Sequence, residues 1–247
     1  MKRIAILQPG YLPWLGFFEQ MYRSDVFVYL DDVQYTKNDW RNRNRIKTQT
    51  GVQWLTVPVS FRFGQEIREA KIDNSNLWSK KHLQSLKTWY GKSSFFKKYI
   101  EELDGLFRQR WDYLIDLDIQ LVKWLMDKLG LTTKTVLSSE IPVQTEDRQL
   151  RLIEICKTLE SHYLYEGKSG QSYIDIHLFE AQGVTVEFQN YPHPYYHQLW
   201  LKEQGFISHL SILDLLFNHG PDSLLILTGQ KIMPPPEGMR IRHADEL

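Results

Sequence analysis

Apolar residues run almost unbroken through RIAIL (3–7) and open VFVYLDDV (26–33), with the more mixed LGFFEQMYRS between them. An unbroken apolar run suits a strand covered on both faces, and two such strands joined through a helix form a parallel βαβ unit. VQWLTVPVS and REAKID add two further strand-like runs. From about 77 to 130 the pattern turns helical, with Trp78, Leu83, Leu86, Trp89 and Tyr90 early and DIQLVKWLMDKLG late, the last closing at Gly130 as helices often do. Alternation then resumes as KTVLSS (strand), EDRQLRLIEICKTLES (helix), HYLYEG (strand), YIDIHLFEAQG (helix), VTVEFQNY (strand) and SHLSILDLLFNHG (helix). The pattern predicts one α/β domain over residues 1–230: a Rossmann-like, doubly wound, mostly parallel sheet with a helical insertion at about 77–130. Residues 231–247, with three consecutive prolines at 234–236, are expected to form an extended or disordered tail.

Composition narrows the functional classes. Of 247 residues 42% are hydrophobic, enough for a sizeable core, and 30 Lys plus Arg balance 30 Asp plus Glu. No global field draws such a protein to nucleic acid or an anionic bilayer, so neither is the expected partner. No apolar run approaches the ~20 residues of a membrane span, and the opening apolar stretch reaches Pro9-Gly10 before a signal-peptide core can form. The expected location is the cytoplasm. The single cysteine, Cys156, shares helical spacing with Leu152, Ile153, Ile155 and Leu159 and reads as a core thiol.

The first strand leaves through QPGYLPWLGF (8–17), which holds two prolines, two glycines and three aromatics. Such a loop is either a rigid hydrophobic corner or the floor of a site. In the second reading Tyr11, Trp14 and Phe17 wall a base or sugar ring and Gln8 faces the crevice at the strand end. The layout resembles the start of Rossmann-like nucleotidylyltransferases, whose H-x-G-H motif would fall on Trp14-Leu15-Gly16-Phe17. Both histidines are aromatics here, and neither Trp nor Phe can stabilise triphosphate charge, which disfavours ordinary adenylyl transfer.

YLDDVQYTKNDWRNRNRIKT follows the second strand. Asp31 and Asp32 stand at its carboxyl end, where open α/β sheets place ligands, and strand geometry aims them at opposite faces. Either can serve as a base, or both are hydrogen-bonded loop carboxylates. Beyond Gln34, Arg41, Arg43 and Arg45 alternate with Asn42 and Asn44, flanked by Lys37 and Lys47. An extended backbone presents the arginines on one face, suited to the diphosphate or carboxylate of a small ligand; a solvated basic edge strand is the other reading. Gln34, Lys37, Arg41, Arg43 and Asn44 are the candidate ligand contacts of this block.

Three later segments carry further candidates. Gly167-Lys168-Ser169 imitates the end of a P-loop, but His162 stands where the motif needs glycine, so Lys168 and Ser169 belong at most to a general anion nest. NYPHPYYHQLW brings His193 and His197 beside Tyr196 and Gln198, and its prolines exclude the helix that would align the histidines. That argues for a general base or a structural hydrogen bond, and no metal is expected. In SHLSILDLLFNHG, predicted to be helical from near Ser208, Asp214 and Asn218 form a polar stripe with Ser211 that requires partners, either internal or from a ligand.

The blocks QPGYLPWLGFFEQM, SDVFVYLDDVQYTKNDWRNRNRIKT, QWLTVPV, YPHPYYHQLW and FISHLSILDLLFNHG lie in a register that resembles the WbqC-like protein family from residue 4 to about residue 220. Members occur with bacterial O-antigen and other surface-polysaccharide genes, and this setting implies work on a nucleotide-linked sugar. With the basic block and the aromatic loop it leads to an expected N-acyl or aminoacyl transfer to an amino sugar. His193, His197, Asp31 or Asp32 would be the base, and the donor a coenzyme A or acyl-carrier-protein thioester. Two alternatives stay open: a nucleotidyl or phosphoryl transferase with a rebuilt H-x-G-H loop, and a non-catalytic protein that binds a small ligand of the same pathway.

Overall fold

The computed structural model describes residues 2–246. The chain divides into two compact units: residues up to Pro9 with Gly16–Val33 and Leu131–Pro192, and Gly10–Leu15 with Gln34–Gly130 and the residues from His193 on.

The first unit is a five-stranded sheet of β1 (Arg3–Leu7), β2 (Val26–Tyr29), β3 (Lys134–Leu137), β4 (Tyr163–Glu166) and β5 (Thr185–Phe188). All pairings are parallel, in the order β3-β2-β1-β4-β5. The chain starts mid-sheet, winds to one edge, then returns to the other side of β1, so its direction reverses between β1 and β4. This is a Rossmann-like α/β fold. Strand alternation sends Ile4, Ile6, Val26, Val28 and Leu164 into a core with Leu152, Ile153, Ile155 and Cys156 of the Arg148–Thr158 helix. Phe27 points to the other face, where it meets Phe17 of the Leu15–Tyr22 helix at 4.9 Å between rings. Coverage on both faces explains the unbroken apolar strands. Cys156 is fully buried, and burial pushes its thiol up to about 12.

The second unit contains an antiparallel hairpin (Arg43–Thr48 with Gly51–Thr56), a short ribbon (Val59–Ser60 with Lys71–Ile72) and the helices Trp78–Tyr90, Phe96–Arg108 and Leu114–Leu129. Gly130 ends the last of these in a left-handed conformation (φ 75°). The Ile212–His219 helix starts later than its pattern predicts: Ser211 is its cap, accepting from Leu213 N at 3.3 Å, and Ser208 ends a strand. That strand, Phe206–Ser208, pairs in parallel with Ile241–His243 of the tail, a partner that local periodicity does not reveal. Among the described residues, no helix is long and apolar enough to cross a membrane.

Candidate functional site

Four of the segments singled out by sequence meet in the second unit: the opening loop, the basic strand, the histidine loop and the Ser211-capped helix. Their backbones are tied directly. Ser211 N donates to Arg45 O at 2.9 Å, Ile212 N to Pro13 O at 2.9 Å and Tyr11 N to Trp40 O at 3.0 Å. Asn44 adds its side-chain amide to Leu12 O at 2.8 Å, so it holds the opening loop in shape. Tyr11 is fully buried and its hydroxyl donates to His82, which leaves Trp14 as the aromatic this loop presents within the unit.

Trp14 lies beside a cluster of imidazoles. Its ring centroid is 4.8 Å from His209 (interplanar angle 21°) and 6.5 Å from His193 (13°); His193 and His209 are 5.0 Å apart, and His243 lies tilted at 35°, 3.8 Å from His209. All four rings are half-buried. Burial, reinforced by the neighbouring imidazoles, pulls His193 down to about 3 and His209 to about 4, so both are neutral at physiological pH. The carbonyl of Pro194 can only accept, so His193 Nδ1, 2.9 Å away, carries the proton and Nε2 the lone pair. His209 Nδ1 is 2.8 Å from Ser208 Oγ. His197 stands apart from this cluster, its carbonyl receiving the ring of His219 at 3.0 Å. Among the described residues, no group of three His, Cys, Asp or Glu is arranged to hold a metal.

The remaining polar candidates of this unit form an internal network. Lys47 is fully buried; its Nζ donates to Gln198 Oε1 at 2.9 Å and Gly205 O at 2.5 Å, and burial lowers it to about 8 against the opposing pull of Asp214. Tyr90 Oη donates to Asp214 Oδ2 at 2.8 Å and accepts from Lys47 N at 2.9 Å. Gln198 further clasps Ile207 through both N–H and C=O, and Asn218 bonds back to Asp214 O at 2.7 Å. A buried carboxylate needs such partners, and these fix the histidine loop to the Ile212–His219 helix.

In the basic block the three arginines have different fates. Arg41 pairs with Asp39, and Arg45 with Asp245 and the carbonyl of Ala244. Arg43 lies 4.1 Å over the Trp54 ring and makes no ion pair among the described residues. Lys37 is exposed, and Gln34 forms an isolated bridge with Glu66.

The other candidates belong to the first unit. Asp31 is buried and receives Ser139 N at 3.0 Å and Ser139 Oγ at 2.6 Å; the Ser138 hydroxyl stands between Asp31 Oδ1 (3.0 Å) and Asp32 Oδ1 (2.5 Å). Asp32 also pairs with Arg151. Gln8 follows the end of β1, while Lys168 and Ser169 are exposed on the Lys168–Ser172 turn after β4, so both segments lie at the strand ends flanking the reversal between β1 and β4. Residues 8–226 match the WbqC-like protein family.

The chain belongs to the WbqC-like protein family.

This WbqC-like chain is 37% identical over 227 residues to Uncharacterized protein Rv1507c of Mycobacterium tuberculosis (strain ATCC 25618 / H37Rv), an overlap of 90% of this chain and 96% of the relative. No solved structure matches it.

Sequence reasoning passed over several residues of the WbqC-like chain. His209 was hidden in a helical pattern and His243 in the tail. Glu166 closes β4, buried, with Tyr173 Oη 3.1 Å from Oε1, and burial pushes its carboxyl up to about 7. Glu19 is buried in the Leu15–Tyr22 helix, paired with Arg23 and bonded by Gln189 Nε2 at 2.6 Å and Tyr165 Oη at 3.1 Å. Its position on the helix offered one signal, a carboxylate between the apolar Phe18 and Met21.

Proposed function

We propose that this WbqC-like protein is a cytoplasmic transferase of surface-polysaccharide biosynthesis that passes an acyl or aminoacyl group to the amine of a nucleotide-linked amino sugar. The observation that carries the reading is the cluster of neutral imidazoles beside Trp14. The indole offers a flat apolar face to a pyranose. As the neutral amine attacks the donor carbonyl, its nitrogen becomes cationic in the tetrahedral adduct and its N–H far more acidic than in the free amine. A neutral imidazole of this cluster takes that proton. An imidazolium that burial disfavours returns it readily to the departing thiolate as the carbon–sulfur bond breaks. Coenzyme A or a carrier-protein thioester fits as donor, and no covalent enzyme intermediate is needed.

A second reading rests on a different observation, the sheet reversal between β1 and β4 with the glycine-containing turn at the end of β4. Sheets of this kind bind nucleotides there, which favours nucleotidyl or phosphoryl chemistry.

The test incubates the purified protein with nucleotide amino sugars and acyl- or aminoacyl-thioesters and follows product mass. An acylated sugar, lost by about a hundredfold or more in H193A and H209A, supports the transferase. Pyrophosphate released from a nucleoside triphosphate with Mg²⁺ replaces it with the second reading, and binding without conversion replaces both with a ligand-binding role.

A further inference from the structure

The edge strand Gly51–Thr56 and the Trp78–Tyr90 helix enclose a cleft of about 340 Å³ that shares no lining residue with the imidazole cluster. That volume is at the small end of ligand sites. Its floor is His82, whose ring is fixed because Thr56 O takes the Nε2 proton (3.2 Å) and Tyr11 Oη donates to Nδ1 (2.8 Å). One wall is Trp54, 40% exposed. Gln53 is held from both ends, donating to Ser85 Oγ at 2.8 Å and accepting from Trp89 Nε1 at 2.8 Å.

Charge distinguishes the cleft. No Asp or Glu lines it. Lys81 is exposed on its rim and makes no ion pair among the described residues. On the Trp54 ring lie Arg43 (4.1 Å) and Arg45 (4.9 Å), the latter paired with Asp245. One uncompensated cation in a cleft walled by an exposed indole, with amides and hydroxyls and no carboxylate in the lining, complements a ring that carries negative charge.

We propose that this cleft binds an anionic monosaccharide, with the pyranose face on Trp54 and its phosphate or carboxylate on Lys81. The inference goes beyond the transferase reading and uses none of its residues, so either can fail alone.

Calorimetric titration of the whole protein with glucose 6-phosphate, glucuronate, glucose and inorganic phosphate tests it. At least one anionic sugar should bind about tenfold or more tighter than both glucose and phosphate; which of the two does so tells phosphate from carboxylate. W54A and K81A should each weaken that binding by about tenfold. Both side chains are exposed, so the variants keep the fold, checked by thermal melts. Equal binding of inorganic phosphate, equal binding of glucose, no binding of any probe, or unchanged affinity in W54A and K81A would each overturn the proposal.

Discussion

Tyr11 Oη donates to His82 Nδ1 over 2.8 Å, and His82 Nε2 in turn donates to the carbonyl of Thr56 at 3.2 Å. The ring is buried, and that burial pulls it down to about 4 from 6.5. A histidine that is neutral in the fold but basic in the unfolded chain stabilises the protein fully above pH 6.5, and that contribution is lost as pH falls toward 4. Stability of the wild type should therefore drop by on the order of 3 kcal/mol more than that of H82L between pH 7 and pH 4. His193 shifts in the same direction in both proteins and cancels from the comparison. Urea unfolding at a series of pH values measures the difference; parallel curves would show that His82 is not held neutral.

Glu166 has the opposite sign. Burial raises its carboxyl from 4.5 to about 7, so between those values the folded chain holds a proton that the unfolded chain has released. Stability falls as pH rises through this window, and the loss is complete above 7. E166Q keeps an acceptor for Tyr173 Oη and removes the titration. It should be more stable than wild type at pH 8, by up to about 3 kcal/mol, and equal to it near pH 4.5.

Asp118 is fully buried in the Leu114–Leu129 helix, and among the described residues neither of its oxygens has a hydrogen-bond partner. Burial drives its pKa well above 3.8, so the native carboxyl holds its proton. A buried polar group without partners costs about 1–3 kcal/mol, and replacing it by an apolar side chain of similar volume recovers much of that. D118L should stabilise the protein at pH 7, with a gain that grows from pH 4 upward because the wild type must keep binding a proton. D118N, which leaves a buried polar group, should recover less. A D118L protein less stable than wild type would point to an unseen partner at this position.

The strands of the first unit were legible because parallel strands buried on both faces are near-continuous apolar runs: RIAIL is β1 residue for residue. The Arg/Asn alternation of 43–45 was legible for the same geometric reason, since it lies in the Arg43–Thr48 strand, whereas Arg41 precedes the strand and turns to Asp39. The imidazole cluster was not. His209 takes a left-handed backbone conformation (φ 58°) between a strand end and a helix cap, and the pairing of Ser208 with His243, 35 positions away in sequence, brings His243 beside it. Local periodicity cannot register a partner at that distance. Asp118 was readable in principle: it lies four residues after Leu114 and three before Leu121, inside the apolar stripe.

The serines that bind Asp31 offer a way to separate structure from chemistry. Asp31 accepts from Ser139 N and Ser139 Oγ, and its own N–H donates to Ser138 Oγ at 3.1 Å, so it ties the end of β2 to the turn after β3. Removing the carboxylate leaves two part-buried donors of Ser139 unmatched, so D31A should cost about 2–4 kcal/mol, and S139A, which removes one donor and leaves Asp31 Oδ2 without it, about 1–3 kcal/mol. If the carboxylate only ties these segments, turnover per folded molecule stays at the wild-type level in both variants. If Asp31 is also a base, D31A abolishes turnover in molecules that remain folded while S139A does not. Urea unfolding read alongside product mass distinguishes the two, because loss of folded protein scales both variants along one line and loss of chemistry moves D31A off it.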